Sequence, residues 1–168
     1  MRLLCILILV LYIPACAPSN TRGYVPPAQH RQWAQELLSI HDRKGAIIEL
    51  QLSLKGNPNI ADALLYADLL ESQGDYKQAR KTYKIAFSYP AEEKQQQTLN
   101  YRLALLEATD LDNLNTASKL AKTLPPVDSR YFDLQSVLLF KQKEYKRALV
   151  ESQRALTKAQ NNEEKGWA

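Results

Sequence analysis

Small and apolar residues return at helical intervals through most of this chain. Tyr76, Ala79, Tyr83 and Ala86 are spaced by three, four and three, which puts them on one face of a helix. Tyr145, Ala148, Ser152 and Ala155 repeat that spacing 69 residues later. Such an offset is close to two periods of about 34, so an intermediate unit is expected. Leu114, Ala117, Ala121 and Leu124 supply it, and Arg43, Ala46, Leu50 and Ser53 form one unit upstream. The pattern predicts four antiparallel helical hairpins between residues 28 and 160, eight helices in all, with no strand-like alternation.

Packing explains the residue types. Small side chains where two helices of a hairpin face each other let their axes approach closely. Ala46, Ala79, Ala117 and Ala148 hold equivalent places, separated by 33, 38 and 31 residues, so loops must absorb the differences. The 38 contains Pro90 and the polar stretch from Ala91 to Gln97, expected as a lengthened turn or helix start. The 31 contains Pro125-Pro126, a tight break. Gly74 suits the left-handed conformation that ends a helix. Gly56 closes another, and Asn57-Pro58 reads as a cap and first-turn proline for the next.

The register resembles the tetratricopeptide repeat. That family places a small residue at repeat position 8, glycine-acid-tyrosine at 15 to 17, alanine at 20 and 27, and proline near 32. Units 27–59, 60–97, 98–128 and 129–160 put Ala34, Ala67, Leu105 and Ser136 at position 8, and Leu37, Leu70, Ala108 and Leu139 at position 11. Gln135 departs from a usually apolar position 7. The resemblance implies an all-α fold, an α-α superhelix of about four hairpins whose concave surface binds protein partners. Carried over residue by residue, that groove holds Arg31, Gln35 and Leu38; Leu64, Asp68 and Glu71; Arg102 and Leu106; and Arg130, Asp133, Val137 and Phe140. Arg102 and Arg130 are placed to grip carboxylates of one ligand, or to pair internally with acids such as Asp68 or Asp133. The lysine-asparagine set with which some relatives clamp a terminal carboxylate is not reproduced, so a peptide or helix with apolar and charged anchors is the expected ligand.

The amino terminus reads differently. Met1-Arg2 is followed by eleven almost wholly apolar residues, Leu3 to Ile13, too short for an anchor helix and suited to a signal-peptide core. Ala15-Cys16-Ala17 has the form of an ordinary cleavage site, but cleavage there would leave Pro18 first. Ile13-Pro14-Ala15-Cys16 resembles a bacterial lipobox, and that reading is favoured: signal peptide 1–15, acylation of Cys16 and a flexible tether over 16–27. Cys5 lies inside the apolar core, so Cys16 would have no disulfide partner after processing. Ala17, and no aspartate, follows the cysteine; by resemblance to bacterial sorting rules this implies lipid anchoring at the outer membrane, facing the periplasm.

Charge and chemistry narrow the classes. The formal charge of +4 among 168 residues, without basic runs interleaved with stacking aromatics, gives no reason to expect nucleic acid. No phosphate loop, Cys-x-x-Cys, His-Glu-x-x-His or Gly-x-Ser-x-Gly occurs, and no enzymatic activity, cofactor or small-molecule substrate is expected. His30 and His41 fall on different predicted helices and read as surface or packing residues. Lys77, Arg80, Lys81 and Lys84 make one basic stripe, read as a solvated convex face. Residues 161–168 read as a polar tail, leaving the last hairpin to offer apolar surface to a partner or second copy. Lipoproteins of this fold resemble pilotins and the lipoprotein of the tight-adherence (Flp) pilus. The function implied is a scaffold assisting assembly of an outer-membrane pilus or secretion machine, with a secretin or another subunit as partner. The alternative is an adaptor recruiting peptidoglycan enzymes or proteases.

Overall fold

A computed structural model describes residues 24–164. The expected signal segment, Cys16 and most of the expected tether lie outside the described residues, as does the end of the expected polar tail. Eight helices follow in order among them: α1 (Pro27–Ser39), α2 (Arg43–Gly56), α3 (Ile60–Ser72), α4 (Tyr76–Ala86), α5 (Glu93–Thr109), α6 (Leu114–Ala121), α7 (Ser129–Lys141) and α8 (Tyr145–Glu164). They pair as four hairpins, and each second helix also packs on the next first helix. First helices of neighbouring hairpins touch as well, α3 with α5 and α5 with α7, whereas the second helices do not pack on one another to that extent. The array therefore curves with its first helices inside, as an α-α superhelix.

The four hairpin turns share one device. His41, Gly74, Asp112 and Lys143 have φ of 63°, 80°, 49° and 65°, each two residues before the following helix. Only one is glycine, so three turns hold the left-handed bend against its steric cost. Asp42, Asp75 and Asn113 come next and accept from Gly45, Gln78 and Thr116 amides, which caps α2, α4 and α6.

One turn differs in length, and that shifts a register. The amides of Asp42, Asp75 and Glu144 bond to carbonyls five residues back, at Leu37, Leu70 and Leu139, whereas Asn113 reaches six back to Glu107. The third hairpin thus carries an extra turn residue, and everything on α5 moves by one place. Ala104, fully buried, fills the small-residue position expected at Leu105, which is partly exposed. Of two loop expectations, one changes and the other resolves to its helix-start alternative. Asn57-Pro58 does not open α3; Asn59 is the cap, its side chain accepting from the Asp62 amide at 2.9 Å. The polar stretch before Thr98 is mostly helix: Glu92 and Gln95 form a capping box that starts α5 early and extends it to 17 residues.

The alanines at the hairpin crossings, Ala34, Ala46, Ala67, Ala79 and Ala117, are each 0 % exposed. Two buried clusters result. One runs from Ala34 on α1 to Leu106 on α5; the other joins Ala104 and Ala108 to Ala117, Ala121, Leu134 and Leu138. Beyond them, α8 buries only Ala148 among its described side chains.

Candidate protein-binding surfaces

The inner helices bring charged and tyrosine side chains from neighbouring hairpins into contact. Between the first two hairpins, Arg31 on α1 reaches Asp62 on α3. Its Nη2 donates to Oδ2 at 3.0 Å, while Nε lies 2.6 Å from Oδ1 as a close ionic contact without hydrogen-bond alignment. Ser53 and Asn59 also donate to Asp62, at 2.7 and 3.0 Å. Burial alone would raise the Asp62 pKa, but these donors and the Arg31 charge outweigh it and hold the carboxyl below its ordinary value.

Between the second and third hairpins two networks lie side by side. Arg102 on α5 pairs with Asp68 on α3, which with Glu71 holds its cation more firmly than burial would allow. Tyr83 Oη lies 2.8 Å from Asp68 Oδ1 and 2.5 Å from Glu71 Oε1. One hydroxyl proton serves one carboxylate at a time, so the second contact sets oxygen against oxygen unless Glu71 carries a proton. Burial first, and the Asp68 charge with it, raise the Glu71 pKa in keeping with that, against the Tyr83 hydrogen bond and Arg102. Burial and the two carboxylates push Tyr83 far above its ordinary value, so its hydroxyl stays protonated. The second network is more enclosed. Arg80 Nε reaches Glu107 Oε1 at 2.6 Å, Asn113 donates to Oε2 at 3.0 Å, and Glu107 is 0 % exposed.

Between the last two hairpins, Tyr101 donates to Asp133 Oδ2 at 2.7 Å. Arg130 donates to Thr98 Oγ1 at 2.9 Å and Gln97 Oε1 at 3.2 Å, and it pairs with Asp128 at 2.5 Å. Burial opposes ionisation of Asp128, but the Arg130 side chain and amide hold its pKa low.

A specific expectation follows for Glu71. Its folded pKa is raised, so its contribution to stability is complete below the unfolded value, near 4.5, and is lost as pH rises through the folded value. Glu71→Gln keeps a side chain that can donate to Tyr83 or accept from it, without the buried charge. It should be more stable than the wild type at pH 7 by under about 1 kcal/mol, with the advantage vanishing near pH 4. Thermal melts of both proteins across that range check the sign.

The twelve groove residues expected from the repeat register fall into three groups. Arg31, Asp68, Glu71, Arg102, Arg130 and Asp133 are bound up in the inter-hairpin networks. Arg102 does pair with Asp68, but Arg130 takes Asp128 while Asp133 accepts from Tyr101. Leu38 and Leu64 pack against the core, and Val137 is partly buried. Leu106 is 1 % exposed and is a core residue, because the extra turn residue rotates it inward and puts Leu105 in its place. Gln35 and Phe140 are exposed, Phe140 at 61 %. Of the basic stripe, Lys77, Lys81 and Lys84 are exposed while Arg80 turns to Glu107. His30 packs its Nδ1 2.6 Å from Glu49 Oε2, and His41 occupies a turn. Among the described residues no cluster of His, Cys, Asp or Glu could hold a metal, and no helix is long and apolar enough to cross a membrane.

The last hairpin carries a surface that spacing alone did not single out. Phe140 and Tyr145 meet edge to face with centroids 5.4 Å apart, beside Leu149 on α8. With Val137, Ala148 and Thr109 they line an open cavity of about 640 Å³. Tyr145 is 57 % and Leu149 70 % exposed.

No protein-family model matches the sequence, and no curated protein matches it significantly. Solved structures do. MamA from Desulfovibrio magneticus RS-1, residues 41 to the end, has a TM-score of 0.64 at 14% identity, over 79% of this chain and 75% of that one. A double mutant of RS-1 MamA, named ArsTM, gives 0.64 at 15% identity, over 79% and 74%. A further crystal structure of MamA gives 0.65 at 11% identity, over 82% and 81%. At these identities the likeness establishes the fold alone, a tetratricopeptide-like α-α superhelix.

Proposed function

We propose that this chain is a non-enzymatic scaffold lipoprotein that binds a protein partner and assists assembly of an outer-membrane pilus or secretion machine, in the manner of a pilotin acting on a secretin. The observation that carries the binding reading is the last hairpin, where three large apolar side chains, Phe140, Tyr145 and Leu149, stand more than half exposed together. Among the described residues nothing covers them, and a large apolar cluster left open marks a contact surface. The anchor part of the reading rests on the apolar run from Leu3 to Ile13 followed by Cys16. Acylation there would tether the array through a short proline-containing segment at its α1 end.

Two measurements on one strain test both halves. Labelled fatty acid should enter the wild type and not Cys16→Ser, and the variant should leave the outer-membrane fraction. Unlabelled wild type, or a mature terminus at Pro18, would remove the anchor. Mass spectrometry after cross-linked capture should then find a secretin or another pilus or secretion subunit. Peptidoglycan enzymes or proteases in its place would overturn the assembly role in favour of an adaptor.

A further inference from the structure

The cavity at Phe140, Tyr145 and Leu149 has a counterpart inside the array. The second and fourth hairpins have turns of equal length, and their residues correspond at a constant offset of 69. Val137, Phe140, Leu149 and Ser152 therefore stand where Asp68, Glu71, Arg80 and Tyr83 stand on the second hairpin. Those four are the polar groups gathered where α5 seats. Asp68 pairs with Arg102, Arg80 pairs with Glu107, and Tyr83 joins Asp68 to Glu71. The last hairpin presents the same helix-receiving surface with its ionic and hydrogen-bonding groups replaced by apolar side chains and one serine. Among the described residues nothing seats on it.

From this we infer that the end of the array receives a helix from a partner protein, and that this helix is amphipathic and acidic. The helical form follows from register, since the surface has the shape that takes α5 one repeat pair earlier. The apolar contact face follows from Val137, Phe140 and Leu149, which suit side chains spaced by three and four along a helix. The acidic flanks follow from charge: residues 141–158 carry six basic and two acidic side chains. Both acids are already engaged, Glu144 with Arg147 and Glu151 with Arg154, so Lys143, Lys146 and Lys158 are left facing solvent. A second copy joined head to tail is a poor complement. It would offer α1, whose corresponding face is mostly polar: Gln29, Gln32 and Glu36 are hydrogen-bonded along the helix, with Trp33, 37 % exposed, as its one large apolar side chain. The inference rests on the protein-binding reading and specifies the face and the ligand class.

The test uses the full chain and a labelled synthetic helix of about 18 residues, with leucine at intervals of three and four and glutamate on the other face. Fluorescence anisotropy should show this peptide binding at least about tenfold more tightly than a scrambled peptide of equal composition or a version with lysine for glutamate. Leu149→Glu and the uncharged Leu149→Gln should each weaken binding by about tenfold or more. Neither should move the melting temperature, because the side chain is 70 % exposed. Equal binding of the scrambled or lysine peptide, no binding, or indifference to both variants would overturn the inference. So would a wild-type dimer in sedimentation that Leu149→Glu dissociates, since the occupant would then be a second copy. An envelope partner still captured by Leu149→Glu overturns this inference and leaves the scaffold reading in place. A wild type that captures no envelope protein yet binds the peptide through Leu149 fails the scaffold reading alone.

Discussion

Arg80→Met is expected to lower the unfolding free energy by about 3 kcal/mol. Glu107 is fully buried, and its carboxylate is met by Arg80 Nε on one oxygen and Asn113 Nδ2 on the other. Methionine keeps much of the arginine stem but removes the charge, leaving a buried anion with one neutral donor. The cost should fall at the low end for breaking a buried pair, because the Arg80 side chain is 36% exposed and water can approach from its side. Urea denaturation of the single variant gives the loss. A double variant with Glu107→Met should recover most of it, since it is the stranded charge, more than the lost bond, that destabilises. A single variant within about 0.5 kcal/mol of wild type would mean that Glu107 finds solvent, and the enclosed pair would then contribute little to holding α4 on α5.

Ala79→Leu is the second large effect, a destabilisation of about 1–3 kcal/mol. Ala79 and Ala67 are each 0 % exposed in the same cluster, one on each helix of the second hairpin. A leucine has no space to enter unless α3 and α4 separate, and separation also loosens Tyr83 and the α4–α5 junction beyond it. Leucine at Ala61, exposed on α3, provides the control and should change stability by no more than about 0.5 kcal/mol. Equal melting of the two variants would show that the hairpins do not depend on close approach at Ala79.

These two residues mark how far the sequence could be read. The helical period and the recurring alanines were enough for eight helices and four hairpins, because small residues at fixed spacing have few other uses. Glycine stands at only one of the four left-handed turns, so the others are located by register and not by residue identity. The backbone bend survives at His41, Asp112 and Lys143, which illustrates how a repeat can persist in structure while no family model matches the letters. The third hairpin misled for a related reason. Spacing between alanines counts residues without saying where an extra one is housed, and a single residue in the turn before Asn113 exchanged the roles of Leu105 and Leu106. Glu107 was passed over and Arg80 read as solvated, because a buried acid breaks the apolar pattern and its partner lies 27 residues away on the preceding hairpin. The groove arginines were legible, with pairing to Asp68 among the alternatives for them; what was not legible is that Arg130 takes Asp128 while Asp133 goes to Tyr101. Tyr145 and Leu149 were passed over since one looked like a repeat landmark and the other like ordinary filling; only the uncovered surface of α8 distinguishes them.

The two ends of the array are unlike, with a mostly polar row of Gln29, Gln32 and Glu36 along α1 and an apolar cluster of Phe140, Tyr145 and Leu149 where α7 meets α8, and this gives the molecule a direction. Each hairpin in such a stack is steadied by its neighbours, and the face on α7 and α8 is one that no described residue covers. A helix arriving there would act as a fifth layer, and its binding energy would be felt first by the α7–α8 pair and then, through Arg130 with Gln97 and Tyr101 with Asp133, by α5. Occupancy would thus be transmitted backward along the stack as slower local opening, in the way a keystone stiffens the stones already laid.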